Sequence, residues 1–120
     1  MSLGNRAHFY ARPVYRDALV RCLVEVLGCV GPKKFPARGQ PDGILAFSFP
    51  DGGSVSVDFP EDALEPQQAR HGAWLELRSP DPEALQQRVL DAGLERVLYE
   101  ASGGFYFAAP GGQVFSIVRA

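Results

Sequence analysis

Two short segments carry most of the side chains that could do chemistry. In each, polar or aromatic residues alternate with others, and alternate side chains of a β-strand lie on the same face of a sheet. The residues are His8, Tyr10 and Arg12 in the first half of the chain and Trp74, Glu76 and Arg78 in the second. Aromatic rings stack on planar or cationic molecules and arginine binds carboxylates, so these side chains indicate a pocket for an organic ligand.

Each of these side chains also has a purely structural interpretation. His8 can be a hydrogen-bonded structural residue, and Trp74 can fill the interior or a subunit contact. Glu76 can pair with Arg12 or Arg78, which is a usual way to satisfy a partly buried charge. The sequence leaves these alternatives open.

Hydroxyl and carboxyl groups on two further predicted strands belong to the same surface. Residues 54–59 offer Ser56 or Asp58, and residues 114–118 offer Ser116. The alternating pattern does not determine the register of the first of these strands, so the choice between Ser56 and Asp58 stays open. Cys22 and Cys29 flank the end of an apolar helix and are predicted to fill the core, not to form a disulfide or act as nucleophiles.

The elements that position these residues form a repeat. An aromatic strand, a turn with two glycines and a second alternating strand occur at residues 47–57 and again at 105–117, and each stretch predicts a β-hairpin. A strand and a helix precede each hairpin. The pattern predicts an α+β fold, with two stacked βαβββ modules in one domain over residues 1–120. Module one spans about 6–60, a linker about 61–71 and module two about 72–119.

The individual elements follow from periodicity and turn residues. Module one is predicted to contain strands at 7–14, 29–35, 44–49 and 54–59, a helix at 16–27 and a loop up to Gly43. Module two is predicted to contain strands at 73–78, 94–100, 104–108 and 114–118, and a helix that starts near 79–83 and ends at Gly93.

The composition limits the classes of partner. The 120-residue chain is 46% hydrophobic and 22% charged with a net charge of −2, which is typical of a globular domain. Without a dense basic surface, nucleic acid is not an expected partner. No apolar run is long enough to span a bilayer and the first residues lack a signal-peptide pattern, so we expect no membrane association and a cytoplasmic location.

Three stretches of the chain carry a family resemblance. His8 lies twenty residues ahead of the helix-ending Gly28. Residues 74–85, with the sequence Trp-Leu-Glu-Leu-Arg-Ser-Pro-Asp-Pro-Glu-Ala-Leu, lead to Ala92-Gly93, and residues 105–107 lead to Pro110-Gly111-Gly112. In these features the chain resembles the vicinal oxygen chelate superfamily, which includes glyoxalase I, bleomycin resistance proteins and extradiol dioxygenases.

The resemblance implies a trough between two curled sheets, commonly at a dimer interface. Metal-using members hold a divalent ion there, with His or Gln on the first strand of each module and usually Glu on the last. The matching positions are His8, Trp74, Ser56 with Asp58 as the alternative, and Ser116. Imidazole is a good ligand, whereas indole and neutral hydroxyl groups are not, so we expect the inherited metal site to be lost. A divalent metal held by His8, Asp58 and Glu76 is the alternative.

The sequence therefore predicts a metal-free protein similar in plan to the bleomycin resistance group. It would bind a small planar or cationic organic molecule in the inter-module trough and form a homodimer, with no cofactor. The predicted ligand-binding residues are His8, Tyr10, Arg12, Ser56, Trp74, Glu76, Arg78 and Ser116. One alternative is a divalent-metal-dependent lyase, isomerase or dioxygenase of the same superfamily, and another is a dimerisation module without a ligand. Whether the protein is an enzyme stays open.

Overall fold

The first module has the predicted order of a strand, a helical segment and three strands. The computed structural model of the protein describes residues 1–99 and 103–120, apart from the side chain of Asp42. Strand β1 (Arg6–Tyr10) leads to a 3₁₀ turn (Pro13–Tyr15), helix α1 (Arg16–Arg21) and a π turn (Cys22–Val26) that extends the helix. Strands β2 (Val30–Ala37), β3 (Gln40–Ser48) and β4 (Ser54–Asp58) complete the module.

The second module repeats this order after a short helix α2 (Pro66–Ala69). It consists of strand β5 (Trp74–Ser79), helix α3 (Pro82–Asp91), and strands β6 (Glu95–Val97), β7 (Phe105–Ala108) and β8 (Val114–Arg119). Helix α3 starts as its sequence predicts, because the Asp81 carboxylate accepts a hydrogen bond from the Ala84 amide at 3.2 Å. The predicted strand over 94–100 corresponds to β6, and its last residue, Glu100, lies outside the described residues.

Each module forms a four-stranded mixed sheet, with strand orders β1-β4-β3-β2 and β5-β8-β7-β6. The first strand of each module pairs in parallel with the last, and the other neighbours are antiparallel. This arrangement confirms the predicted α+β fold of two βαβββ units. Among the described residues no helix is long and apolar enough to cross a membrane.

One apolar cluster joins the two modules. It includes Leu23 from the first helical segment, Phe47 from β3, Val89 from α3 and Phe115 from β8, each at most 1% exposed. Phe9 of β1 lies edge-on to Phe115, with ring centroids 6.3 Å apart. The sheets thus bury one face against the helices and each other, and the opposite face carries the polar residues of the predicted site.

Two predicted boundaries in the first module are wrong. The strand expected over residues 7–14 ends at Tyr10, because Pro13 opens a 3₁₀ turn and proline suits the first position of a helical turn. The loop expected up to Gly43 is instead a hairpin of β2 and β3, whose turn contains Gly39 with a φ of +73°. Pro32 and Pro36 are tolerated in β2 because it is an edge strand, where a missing amide donor leaves no neighbour unpaired.

The linker between the modules contains a helix that the sequence analysis did not predict. Helix α2 begins after Glu65, whose backbone amide donates to the Gln68 side-chain carbonyl at 3.0 Å. Pro66 occupies the first turn, where its missing amide hydrogen costs nothing. The Glu-Pro-Gln-Gln sequence is a capping-box signal and could have identified this helix.

Candidate functional site

His8, Ser56 and Asp58 form a hydrogen-bonded chain on the first sheet. The Ser56 hydroxyl lies 2.6 Å from Nδ1 of His8, and Nε2 of the same ring lies 3.0 Å from Oδ2 of Asp58. The parallel pairing of β1 and β4 sets His8 opposite Ser56 and Tyr10 opposite Asp58. Ser56 and Asp58 are therefore not alternatives, because both face the same side and both contact His8.

The chemistry of the partners assigns the proton on the imidazole. A carboxylate only accepts hydrogen bonds, so Nε2 of His8 carries the hydrogen and donates it to Asp58. In the neutral ring Nδ1 is then an acceptor for the Ser56 hydroxyl. Both ring nitrogens are occupied. The second carboxylate oxygen of Asp58, Oδ1, is buried and has no hydrogen-bond partner among the described residues.

A cavity of about 470 Å³ lies beside β1. His8 and Tyr10 form one wall, and the segment between the modules forms much of the rest. Tyr10 is 57% exposed and packs edge-on against the His8 ring, with centroids 5.0 Å apart. The lining residues are His8, Phe9, Tyr10, Pro60, Asp62, Ala63, Leu64, Ala69, Gly72, Ala73 and Gln113. This volume is within the range of small-molecule sites, and the lining is largely apolar with a few polar groups.

Sequence reasoning missed the cavity wall supplied by residues 60–73, because it treated that stretch as a linker. The acidic residues of the stretch were visible, but nothing in the pattern showed that Asp62 borders the same space as His8. Arg12, which we expected on the ligand-binding face, lies beyond the end of β1. Its Nε donates to the Ala63 carbonyl at 2.7 Å and its Nη1 lies 2.9 Å from Glu65 Oε1. Arg12 thus holds the wall in place.

The other predicted residues lie on the second sheet. Trp74 is 48% exposed and packs edge-on against Tyr106, with ring centroids 5.4 Å apart. Arg78 donates from Nε to Glu76 Oε1 at 2.9 Å, so the structural alternative of a Glu76–Arg78 pair is realised along one strand. Ser116 is 3% exposed, and its hydroxyl has no hydrogen-bond partner among the described residues.

The strand register identifies Glu76, and not Trp74, as the second module's counterpart of His8. The two hairpins close with equivalent bonds, from the Phe49 amide to Gly53 and from the Ala109 amide to Gln113. Ser56 and Ser116 therefore occupy matching positions. Ser56 lies opposite His8, and Ser116 lies opposite Glu76. The expectation that Trp74 matches His8 is off by two residues, because alternation indicates the face of a strand but not its register.

The cysteines are structural, as predicted. Both are buried and free. Burial, together with the smaller effect of neighbouring Cys29, raises the pKa of Cys22 to about 12, and burial raises the pKa of Cys29 to about 11. A thiol is a nucleophile only as thiolate, so neither side chain suits covalent chemistry near neutral pH.

Known proteins resemble this chain in fold but not in sequence. No protein-family model matches the chain, and no curated protein sequence is significantly similar to it. Solved structures do match. The fosfomycin resistance protein FosX from Mesorhizobium loti is 16% identical with a TM-score of 0.68, over 98% of this chain and 90% of that chain. TnmS3, an antibiotic binding protein from Streptomyces sp. CB03234, is 16% identical with a TM-score of 0.68, over 99% and 98%.

A glyoxalase/bleomycin resistance protein from the same Streptomyces strain is 18% identical with a TM-score of 0.63, over 93% of this chain and 97% of that chain. At these identities the likeness concerns the fold. The chain has the vicinal oxygen chelate fold. The resemblance seen in the sequence is confirmed at that level.

The matching positions of this chain offer few ligands for the kind of metal ion that one protein of similar fold binds. The E126Q mutant of FosX from Listeria monocytogenes is known in complex with Mn(II) and 1S,2S-dihydroxypropylphosphonic acid. It is 12% identical with a TM-score of 0.69, over 98% of this chain and 91% of that chain. Here both nitrogens of His8 are engaged, and Ser56 and Ser116 offer neutral hydroxyl groups. Of the alternative set, Glu76 pairs with Arg78. The described residues contain no group of three or more His, Cys, Asp or Glu able to hold an ion.

Proposed function

We propose that the protein is a metal-independent binding protein for a small planar, cationic organic molecule. The observation that carries this proposal is the cavity of about 470 Å³ beside His8 and Tyr10. Its volume suits a small ligand, and the exposed Tyr10 ring offers an aromatic surface for stacking.

The charge of the cavity wall favours a cation. Asp62 is a lining residue, while the lining contributed by the described residues contains no lysine or arginine. Arg12 is held by the Ala63 carbonyl and the Glu65 carboxylate, and Arg70, next to the lining residue Ala69, is paired with Glu95. A cationic group in the cavity would therefore face a carboxylate and a phenol ring without a competing positive side chain.

One further observation argues against a metal ligand at His8, and one comparison supports a binding function. Neither nitrogen of His8 is available as a ligand while Ser56 and Asp58 hold the ring. The fold also occurs in TnmS3, which is an antibiotic binding protein. The ligand of the present chain need not be an antibiotic, since one fold supports many functions.

A fluorescence titration with ethidium, a planar aromatic cation, tests this proposal. We expect saturable binding to the purified protein in the presence of a metal chelator, and weaker binding of the anionic dye anilinonaphthalene sulfonate. Asp62→Asn and Tyr10→Ala should each weaken ethidium binding by about tenfold, which corresponds to about 1.4 kcal/mol. Asp51→Asn, an exposed carboxylate in the first hairpin turn, is the matched control. Equal affinity for both dyes, or no effect of Asp62→Asn, would contradict the proposal.

The homodimer also remains a proposal. Its support is the edge strand β2, on which Val30 is 69% and Phe35 is 42% exposed. Exposed apolar side chains on an edge strand, whose outer side has no neighbouring strand among the described residues, favour association with another copy. Light scattering on the purified protein should give twice the mass of 13.0 kDa, and a value of one chain would refute it.

A further inference from the structure

We propose that Ser56 is a nucleophile for acyl transfer, activated by His8 and oriented through Asp58, and that the protein hydrolyses small carboxylic esters. This activity goes beyond ligand binding and does not depend on it. The three side chains form a continuous chain of hydrogen bonds, with 2.6 Å from Ser56 Oγ to His8 Nδ1 and 3.0 Å from His8 Nε2 to Asp58 Oδ2. Serine, histidine and aspartate linked in this order are the parts of an activated nucleophile.

The proton positions suit this chemistry. Asp58 fixes the hydrogen on Nε2, which leaves Nδ1 as the base that faces the Ser56 hydroxyl. The imidazole uses its nitrogens in the opposite sense to the serine proteases, but either nitrogen can serve as the base when the other is held by a carboxylate. His8 is 32% exposed at its side chain and Asp58 is 16% exposed, so a substrate can reach the base while the carboxylate stays shielded.

The cross-strand row through Ser56 carries a small side chain and, two strands away, a positive charge. The cross-strand row that contains His8 and Ser56 continues through Ala46 to Lys33. Ala46, the neighbour of Ser56 in this row, has a small side chain. Strand β4 lies between two paired neighbours, so its amides are used in the sheet and the developing oxyanion needs a side-chain donor. Lys33 is the cation in that row. Its Nζ lies over the Phe35 ring, 5.2 Å from the centroid, and its flexible four-carbon stem would have to turn toward the oxyanion.

The reaction is balanced without another reagent. Ser56 Oγ attacks the ester carbonyl carbon while its proton moves to His8 Nδ1. The bond from the carbonyl carbon to the alcohol oxygen breaks, and the alcohol leaves with that proton. Water then attacks the acyl group on Ser56 and gives a proton to Nδ1, and the carboxylic acid departs as Ser56 regains the proton. The sum is ester plus water to acid plus alcohol.

Fluorophosphonate labelling and hydrolysis of p-nitrophenyl acetate test this proposal on the whole chain. Mass spectrometry should locate the phosphonate on Ser56, and Ser56→Ala should abolish both labelling and hydrolysis. His8→Ala should lower the labelling rate at Ser56 by about 100-fold or more, the usual contribution of a general base. Lys33→Met should slow hydrolysis, whereas Lys34→Met, on the adjacent position of β2, should not.

Ser54→Ala is the matched control, because Ser54 lies on the same strand and face, opposite Arg6. It should leave labelling and hydrolysis unchanged. A folded protein without label at Ser56 would overturn the proposal, as would equal labelling of the His8→Ala variant. Labelling of Ser56 without ester hydrolysis would also overturn it. Circular dichroism of each variant ensures that a loss of reaction is not a loss of fold.

Discussion

At the scale of single residues, the two modules place a serine at matching positions but in different surroundings. Ser56 and Ser116 occupy matching places in β4 and β8, but Ser56 bonds to His8 while the buried Ser116 hydroxyl has no partner among the described residues. A net hydrogen bond contributes about 1 kcal/mol, and a buried polar group without a partner costs free energy. Substitution by alanine should therefore lower stability at Ser56 but not at Ser116.

We predict that Ser56→Ala lowers the free energy of unfolding by about 1 kcal/mol, and that Ser116→Ala leaves it unchanged or raises it. Urea unfolding of the two variants beside the unchanged protein measures this difference. If Ser116→Ala destabilises the protein as much as Ser56→Ala does, the Ser116 hydroxyl has a partner in solution, such as an ordered water.

The buried thiols make stability depend on pH. Their pKa values are raised from 9.0 to about 12 for Cys22 and about 11 for Cys29, mainly by burial. Above about pH 9 the unfolded chain loses thiol protons that the folded chain keeps, so rising pH favours unfolding. The stabilisation by the protonated thiols is fully present below the thiol pKa of the unfolded chain. It is lost as the pH rises through the thiol pKa values of the folded chain.

We therefore expect the urea midpoint to fall between about pH 8 and about pH 10. Cys22→Ala should lower stability at about pH 8 because it removes a buried side chain. Its urea midpoint should, however, fall less between about pH 8 and about pH 10 than that of the unchanged protein. An identical fall in the variant would mean that other groups cause the pH dependence.

At the scale of elements, the two hairpin turns differ in what lies next to them. Gly52 and Gly112 hold the same position, since their amides donate to the carbonyls of Phe49 and Ala109. Their φ angles are +119° and +103°. A Cβ on Gly52 would meet nothing within 4 Å, whereas one on Gly112 would lie 2.5 Å from the Pro66 carbonyl oxygen. Helix α2 is thus seated against the last hairpin.

We predict that Gly52→Ala costs about 1–2 kcal/mol from backbone strain alone. Gly112→Ala should cost a further 1–3 kcal/mol or so, because the backbone of α2 must move away. Chemical unfolding of both variants checks the difference. Equal losses would show that α2 leaves the hairpin without cost, and then the cavity wall built by residues 60–73 would be mobile as well.

The elements also show how far the sequence could predict the structure. The helix stripes and both glycine hairpins follow from local patterns, and the structure confirms them. The extension of β2 and β3 to a turn at Gly39 was missed, because Pro36 and the residues up to Gly43 indicate a loop unless the strand is known to lie at an edge. The partners of His8 depend on the register between β1 and β4, which are distant in sequence. Alternation predicted the faces of the site, and only tertiary pairing determined its contacts.

At the scale of the whole molecule, the apolar core determines whether the modules are one domain. Leu23 in module one and Val89 and Phe115 in module two are fully buried in the same cluster. Removal of a core side chain from one module should therefore weaken both. Trp74 is the single tryptophan and lies on β5, so its fluorescence reports the unfolding of module two.

We predict that Leu23→Ala, in module one, lowers the unfolding free energy measured by Trp74 fluorescence by about 2–5 kcal/mol. Circular dichroism, which reports on both modules, should show the same single transition, because a shared core unfolds cooperatively. Leu3→Ala is the matched control, since Leu3 is fully exposed and should have no effect. If Leu23→Ala splits the circular dichroism transition while the Trp74 transition stays in place, the modules unfold independently. The cavity beside β1, with walls from β1, the connecting segment and the last hairpin, then could not persist once module one opened.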